Sequence, residues 1–112
     1  MSMYNPPHPG EFIKETYLDP FGISQNEMAD KLNVARSTFN RLVRGDYRVS
    51  PEMSLRLSRV VGRTPESWLN MQARFDLYNE ELEEDKFEGL EMFPFPDTFG
   101  SGSVEQRFQP GG

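Results

Sequence analysis

The stretch SQNEMADKLNVARSTFNRLVRG, Ser24 to Gly45, decides the fold. It holds two helical patterns with a short break between them. Ser24-Gln25-Asn26-Glu27 has the form of a capping box, in which the Ser24 hydroxyl and the Glu27 carboxylate reciprocally satisfy backbone N–H groups at a helix start. Met28, Ala29 and Leu32 then recur at helical spacing and give an inward face. Asn33-Val34 makes a short turn, and Ala35 to Val43 forms the next helix, with Phe39 and Leu42 or Val43 inward and Gly45 as its C-cap. Ala29 is small where the two helices cross closely, Leu32 and Val34 fill the wedge beneath the turn, and Phe39 anchors the second helix from below. Arg36, Ser37, Asn40, Arg41 and Arg44 are left on the outer side.

Two helices joined by a three- to four-residue turn project the second of them outward, with dimensions that suit a major groove about 12 Å wide. The residue types agree with that use. Arg can grip guanine O6 and N7 with two donors, Asn can pair with adenine, and Ser or Thr can reach bases or phosphates. Arg36, Ser37, Asn40 and Arg41 are therefore the base-reading candidates. Gln25 and Asn26 open the first helix of the pair, where free N–H groups and the positive end of the helix dipole favour a phosphate oxygen. Thr38, Arg44 and Arg48 complete the phosphate-contacting candidates. A polar stripe alone is most often a solvated helix face. Here helix spacing, turn composition, a small crossing residue and one-sided positive charge coincide, and together they favour duplex DNA.

Outward from this centre the remaining helices are set by breakers and caps. Asn5-Pro6-Pro7-His8-Pro9 introduces a helix from about Gly10 to Leu18, which Pro20 and Gly22 end. Ser50-Pro51-Glu52, an N-cap, a Pro at the first helical position and an acid in the first turn, starts a helix running to Val61, and Gly62 stops it. Thr64-Pro65-Glu66 does the same for a fifth helix whose Trp68, Leu69, Met71, Gln72, Phe75 and Tyr78 continue towards Leu82. The expected architecture is all-α, with five helices over residues 1–82. The Trp68, Met71, Phe75 and Tyr78 stripe reads first as core. The fifth helix exceeds what a four-helix core beneath it needs, so these four residues are also the candidates for a symmetric dimer contact.

Beyond about Glu83 the composition shifts to acid, Gly, Pro, Ser and spaced Phe: Phe87, Phe93, Phe95, Phe99 and Phe108. Residues 83–112 read as an irregular acidic tail: Met92-Phe93-Pro94-Phe95-Pro96 cannot sustain a helix, and Gly100-Ser101-Gly102-Ser103 reads as flexible coil, so disorder in isolation is expected. Two uses are open for it. Phe87, Leu90, Met92, Phe93 and Phe95 among Glu84, Asp85, Glu88, Glu91 and Asp97 suit a basic apolar groove on a partner, and a solubilising extension fits equally.

Charge follows the same division. The net charge of -6 looks unsuited to nucleic acid, yet residues 1–80 balance ten Lys or Arg against ten Asp or Glu, and residues 81–112 hold two against eight. Between Arg36 and Arg63, seven arginines (Arg36, Arg41, Arg44, Arg48, Arg56, Arg59, Arg63) face only Asp46 and Glu52, which reads as a phosphate-facing surface. The chain has no Cys, which removes disulfides, thiolate metal sites and cysteine nucleophiles. A reducing cytoplasm is the expected location, since neither an export signal nor an apolar span is visible. His8 is the lone histidine and sits among prolines, and the acid pairs fall in the tail without a scaffold. No catalytic residue, metal site or cofactor is therefore expected, and no phosphate-cradling glycine loop occurs.

These residues also resemble a known family, the HigA-type (VapI-like) antitoxins of the XRE, or lambda-repressor-like, helix-turn-helix class. The resemblance covers most of residues 8–79. It rests on His8-Pro9-Gly10-Glu11, Leu18-Asp19-Pro20, Gly22-Ile23-Ser24-Gln25, Ala29, Leu32, Val34, Arg36-Ser37, Gly45 and Thr64-Pro65-Glu66-Ser67, and most specifically on Trp68-Leu69-Asn70-Met71-Gln72 followed by Tyr78. Leu32-Asn33 stands where Leu-Gly is commoner, and Phe39 where Ile is usual. The resemblance implies a five-helix lambda-repressor-like fold and a homodimer that binds a palindromic operator over its own promoter as a repressor. It further implies neutralisation of a small basic RelE/HigB-like, mRNA-cleaving toxin, and the tail lies outside the pattern. The alternatives are an XRE-type regulator without a toxin partner, and a pure protein-interaction module.

Overall fold

Three of the helices begin with the same device, a hydroxyl that replaces a missing backbone acceptor. The Ser24, Ser50 and Thr64 hydroxyl oxygens accept from the backbone N–H groups of Glu27, Met53 and Ser67 at 3.0, 3.1 and 3.1 Å. Each such cap contributes about 1 kcal/mol to helix stability. They open α2 (Gln25–Leu32), α4 (Pro51–Val60) and α5 (Pro65–Glu81), while α3 (Arg36–Arg44) starts at Ala35 without a side-chain cap. Of the capping box expected at α2, the hydroxyl half forms among the described residues. In this computed structural model the described residues are 5–96.

The first helix departs from the expected simple α pattern. Its α-helical part, α1 (Pro9–Ile13), is capped by His8, whose Nδ1 accepts from the Gly10 N–H at 2.9 Å. It continues as a π-helical segment, Lys14–Leu18, and a 3-10 turn, Asp19–Phe21, before Gly22 turns the chain at φ 65°. The wider π turn places residues five apart on one side. Ile13 and Leu18 have that spacing, and both are buried.

All five helices meet in one core. Ile13, Leu18, Ala29, Leu32, Phe39, Leu42, Leu57 and Trp68 are each 2% exposed or less. Burial of each Ile, Leu or Phe among them contributes roughly 1.5–3 kcal/mol. α3 lies against α2 and α1, and α4 lies against α5 and α2. The contact of α1 with α3 is close enough to require Gly10. A Cβ there would stand 1.8 Å from the Leu42 carbonyl oxygen, a distance no side chain tolerates. The Trp68 indole N–H donates to the Gly62 carbonyl at 2.9 Å, so the largest core side chain leaves no unpaired donor.

After α5 the character changes. A 3-10 turn, Glu84–Phe87, adds regular structure where the sequence predicts only irregular chain. Lys86 bridges Glu80 at 2.7 Å and Glu83 at 3.3 Å, and these bonds hold its amine above the ordinary lysine value. Every residue from Asn79 to Pro96 is exposed, including Phe93 and Phe95, whose rings face each other at 4.6 Å. The expectations for Asp97, Phe99, Gly100 to Ser103 and Phe108 lie outside the described residues. Among the described residues no helix is long and apolar enough to cross a membrane.

Candidate nucleic-acid interface

The turn between α2 and α3 is built from two residues and one distant arginine. Asn33 adopts φ 59° and ψ 46°, a left-handed conformation that Asn tolerates better than most residues, which is why Leu32-Asn33 can stand where Gly is commoner. The Val34 N–H then returns to the Ala29 carbonyl at 3.1 Å. Arg56, on α4, donates from Nη1 to the carbonyls of Leu32 and Asn33 at 3.0 and 3.2 Å. Its Nε and Nη2 are meanwhile held by Glu52 Oε2 at 3.1 and 2.8 Å. A charged donor on two carbonyls at a helix end stabilises the orphan acceptors there and favourably meets the negative pole of the dipole. Arg56 therefore splints the turn.

On this support α3 divides cleanly into two sides. Phe39, Leu42 and Val43 are buried, and Gly45 closes the helix at φ 86°. Both inward positions proposed as alternatives, Leu42 and Val43, are thus used. Arg36, Ser37, Arg41 and Arg44 are exposed on the other side, with Thr38 and Asn40 half-buried along its margins. Arg36 reaches back to Asp30 on α2 through two hydrogen bonds, 3.1 and 2.6 Å. The Arg41 guanidinium stands over the Tyr47 ring at 5.6 Å, and Arg44 pairs with Asp46 at 3.3 Å. Among the described residues, Asn40 Oδ1 is the buried side-chain oxygen that has no hydrogen-bond partner. At the first turn of α2, Asn26 is exposed and Gln25 half-buried.

The segment after α3 is fastened to α5. The buried Gln72 amide oxygen accepts from the Val49 N–H at 2.9 Å, and its NH₂ donates to Asp76 at 3.1 Å. Arg48, a phosphate candidate, keeps an exposed guanidinium and pairs with the same Asp76. His8 lies behind this network, its ring edge-on to Phe75 at 5.0 Å. Burial lowers its pKa below the ordinary histidine value, opposed by Asp76 and Asp46 and assisted by Arg48. With Nδ1 accepting a hydrogen bond, the neutral ring carries its proton on Nε2.

The seven-arginine surface expected between Arg36 and Arg63 therefore breaks up. Arg36, Arg41 and Arg44 share α3, whereas Arg56 serves the turn and Arg63 lies over Phe12 and Trp68 at 5.2 and 5.5 Å. Charge counting could not separate these uses, because an arginine bonded to carbonyls or stacked on rings has the same formal charge as a free one. Asp30, Tyr47 and Gln72 were missed as companions of the site, and only Gln72, inside the most specific segment, carried a signal. Of the four residues expected at a dimer contact, Trp68 and Met71 lie inside the chain's own core, and Phe75 and Tyr78 are half-buried.

A family model described as helix-turn-helix matches residues 13–69, which contain this whole arrangement. The chain belongs to the helix-turn-helix family. Its likeness within the family is to HigA-type and VapI-like members. Virulence-associated protein I of Dichelobacter nodosus is 43% identical over 70 residues, 62% of this chain, and the chain spans only 65% of that relative's length. Antitoxin HigA-1 of Vibrio cholerae is 37% identical over 81 residues, covering 70% of this chain and 76% of the relative. Among solved structures, antitoxin GraA in complex with its operator superimposes with a TM-score of 0.75 at 34% identity, covering 85% of this chain and 98% of that one.

Proposed function

We propose that this helix-turn-helix protein is the antitoxin of a type II toxin-antitoxin pair and a dimeric, sequence-specific repressor of its own operon. The observation that carries the DNA reading is the outer side of α3, three arginines on a helix whose turn is splinted by Arg56 and whose far end is closed by Gly45. In this reading Arg36, Ser37, Asn40 and Arg41 read bases, and Gln25, Asn26, Thr38, Arg44 and Arg48 contact phosphates. The likeness to an antitoxin bound to its operator supports this use of the fold. Residues 1–82 form the binding and dimerisation unit, with Phe75 and Tyr78 the accessible part of the proposed symmetric contact. The tail from residue 83 is assigned to the toxin, a small basic RelE/HigB-like ribonuclease, a reading supported by the exposure of Phe87, Leu90, Met92, Phe93 and Phe95 among the described residues.

Binding to the duplex upstream of the gene tests the first half. Gel shift of Arg41→Ala should lose about 1–3 kcal/mol of affinity, and the wild-type affinity should fall steeply with salt. Unchanged binding by that variant, or a flat salt titration, contradicts the reading. For the second half, deleting residues 84–112 should weaken capture of the neighbouring toxin, and unaltered toxin affinity removes the tail from the proposal.

A further inference from the structure

Arg36 does not stand free at the start of α3. Its side chain crosses back over the turn, where Nε donates to Asp30 Oδ1 at 3.1 Å and Nη2 to Asp30 Oδ2 at 2.6 Å. Both side chains stay more than half exposed, 57% and 56%. The pairing is side-on. It occupies the Nε hydrogen and one on Nη2, and leaves the opposite edge, with the two Nη1 hydrogens and the second on Nη2, as a planar fork of donors.

Two consequences follow from this geometry. The pair is electrically neutral, so Arg36 offers a phosphate little net attraction, and the Asp30 carboxylate opposes a phosphate brought close to it. Two bonds also hold the plane of a guanidinium that would otherwise rotate freely, and its open fork matches the spacing of guanine O6 and N7. The other arginines of α3 are held more loosely. Arg41 lies over a ring, and Arg44 gives a single contact to Asp46. An exposed ion pair adds little to folding stability, so core support does not account for Asp30.

We infer that Asp30 is a specificity-determining residue: by holding Arg36 side-on across the helix-turn-helix, it stops that arginine acting as a general phosphate clamp and presents its free edge to a guanine. This rests on the DNA reading under Proposed function. Asp30 touches no base. It acts by positioning Arg36 and by taxing contacts that do not use the fork.

The test uses the full chain with Asp30→Ala, Asp30→Asn, Arg36→Ala and the Asp30→Ala/Arg36→Ala pair. Wild-type protein first enriches duplexes from a randomised library, and every variant is then titrated with the enriched duplex and with an unselected one over a range of salt. Both Asp30 variants should melt with the wild type and bind the unselected duplex several-fold more tightly. Their salt dependence should steepen by about 0.9 in log–log slope, one further phosphate contact. The ratio of selected to unselected affinity should fall about fivefold or more, and their own selections should relax at a guanine position. In the Arg36→Ala background, Asp30→Ala should leave the ratio unaltered. Asp30 variants that keep the wild-type ratio and base preferences overturn the inference and leave the DNA reading standing. Failure of the wild type to enrich any sequence overturns both.

Discussion

α3 and the tail are made of similar residues and have opposite fates. α3 carries Phe39, Leu42 and Val43 with three arginines, and the tail carries Phe87, Leu90, Met92, Phe93 and Phe95 with a run of acids. Phe39 is fully buried, whereas Phe93 is 68% and Phe95 75% exposed. Spacing separates them. In α3 the apolar residues recur at three and four, so one side can be covered while the charges stay together on the other. In the tail Pro94 and Pro96 remove two N–H donors and forbid helix, so Phe93 and Phe95 meet only each other and stay exposed. The first arrangement sets its charged groups on one side of a helix packed on the core, which is what reading a base edge requires. The second suits a partner that supplies the order itself.

The sharpest way to break this contrast is to truncate one Phe from each region. Phe39→Ala should cost about 3–5 kcal/mol in denaturant unfolding, while Phe93→Ala should stay within about 0.5 kcal/mol of the wild type. Comparable losses would show that the tail packs after all. Gly10→Ala should come next, at about 1–3 kcal/mol, because the added methyl drives α1 away from the backbone of α3 at Leu42. A thermal melt with no change at Gly10→Ala would refute the close approach. The smallest effect concerns pH. Since burial lowers the His8 pKa, the fold favours the neutral ring. Its contribution is complete above the ordinary value of 6.5 and is lost progressively as pH falls below it. His8→Asn keeps an acceptor for the Gly10 N–H without a titrating group, so its melting temperature should drop less than that of the wild type between neutral and mildly acid pH.

What the sequence disclosed was mostly local. Ser24, Ser50 and Thr64 announce three helix starts because a hydroxyl cap acts within three residues, and Gly45 announces an end because its left-handed φ is a property of one residue. The inward and outward sides of α3 followed from periodicity in the same way. The site's supports were hidden because they join distant segments. Arg56 lies 24 residues from the Leu32 carbonyl it holds, and Gln72 lies 23 from Val49. Nothing in the pattern of α4 shows that Arg56 turns inward. The π turn of the first helix was equally illegible, since Ile13 and Leu18 at a spacing of five acquire meaning only once both are seen in the core.

The central claim is that the arginine-bearing outer side of α3 enters duplex DNA. It is tested most directly by titrating the upstream promoter duplex into isotope-labelled full-length protein and following the backbone amide resonances. The account predicts that the largest shifts fall on Arg36 to Arg44 and on Gln25 and Asn26, with Glu83 to Pro96 nearly unmoved. Shifts confined to α5 or the tail, with α3 silent at saturating duplex, would contradict it.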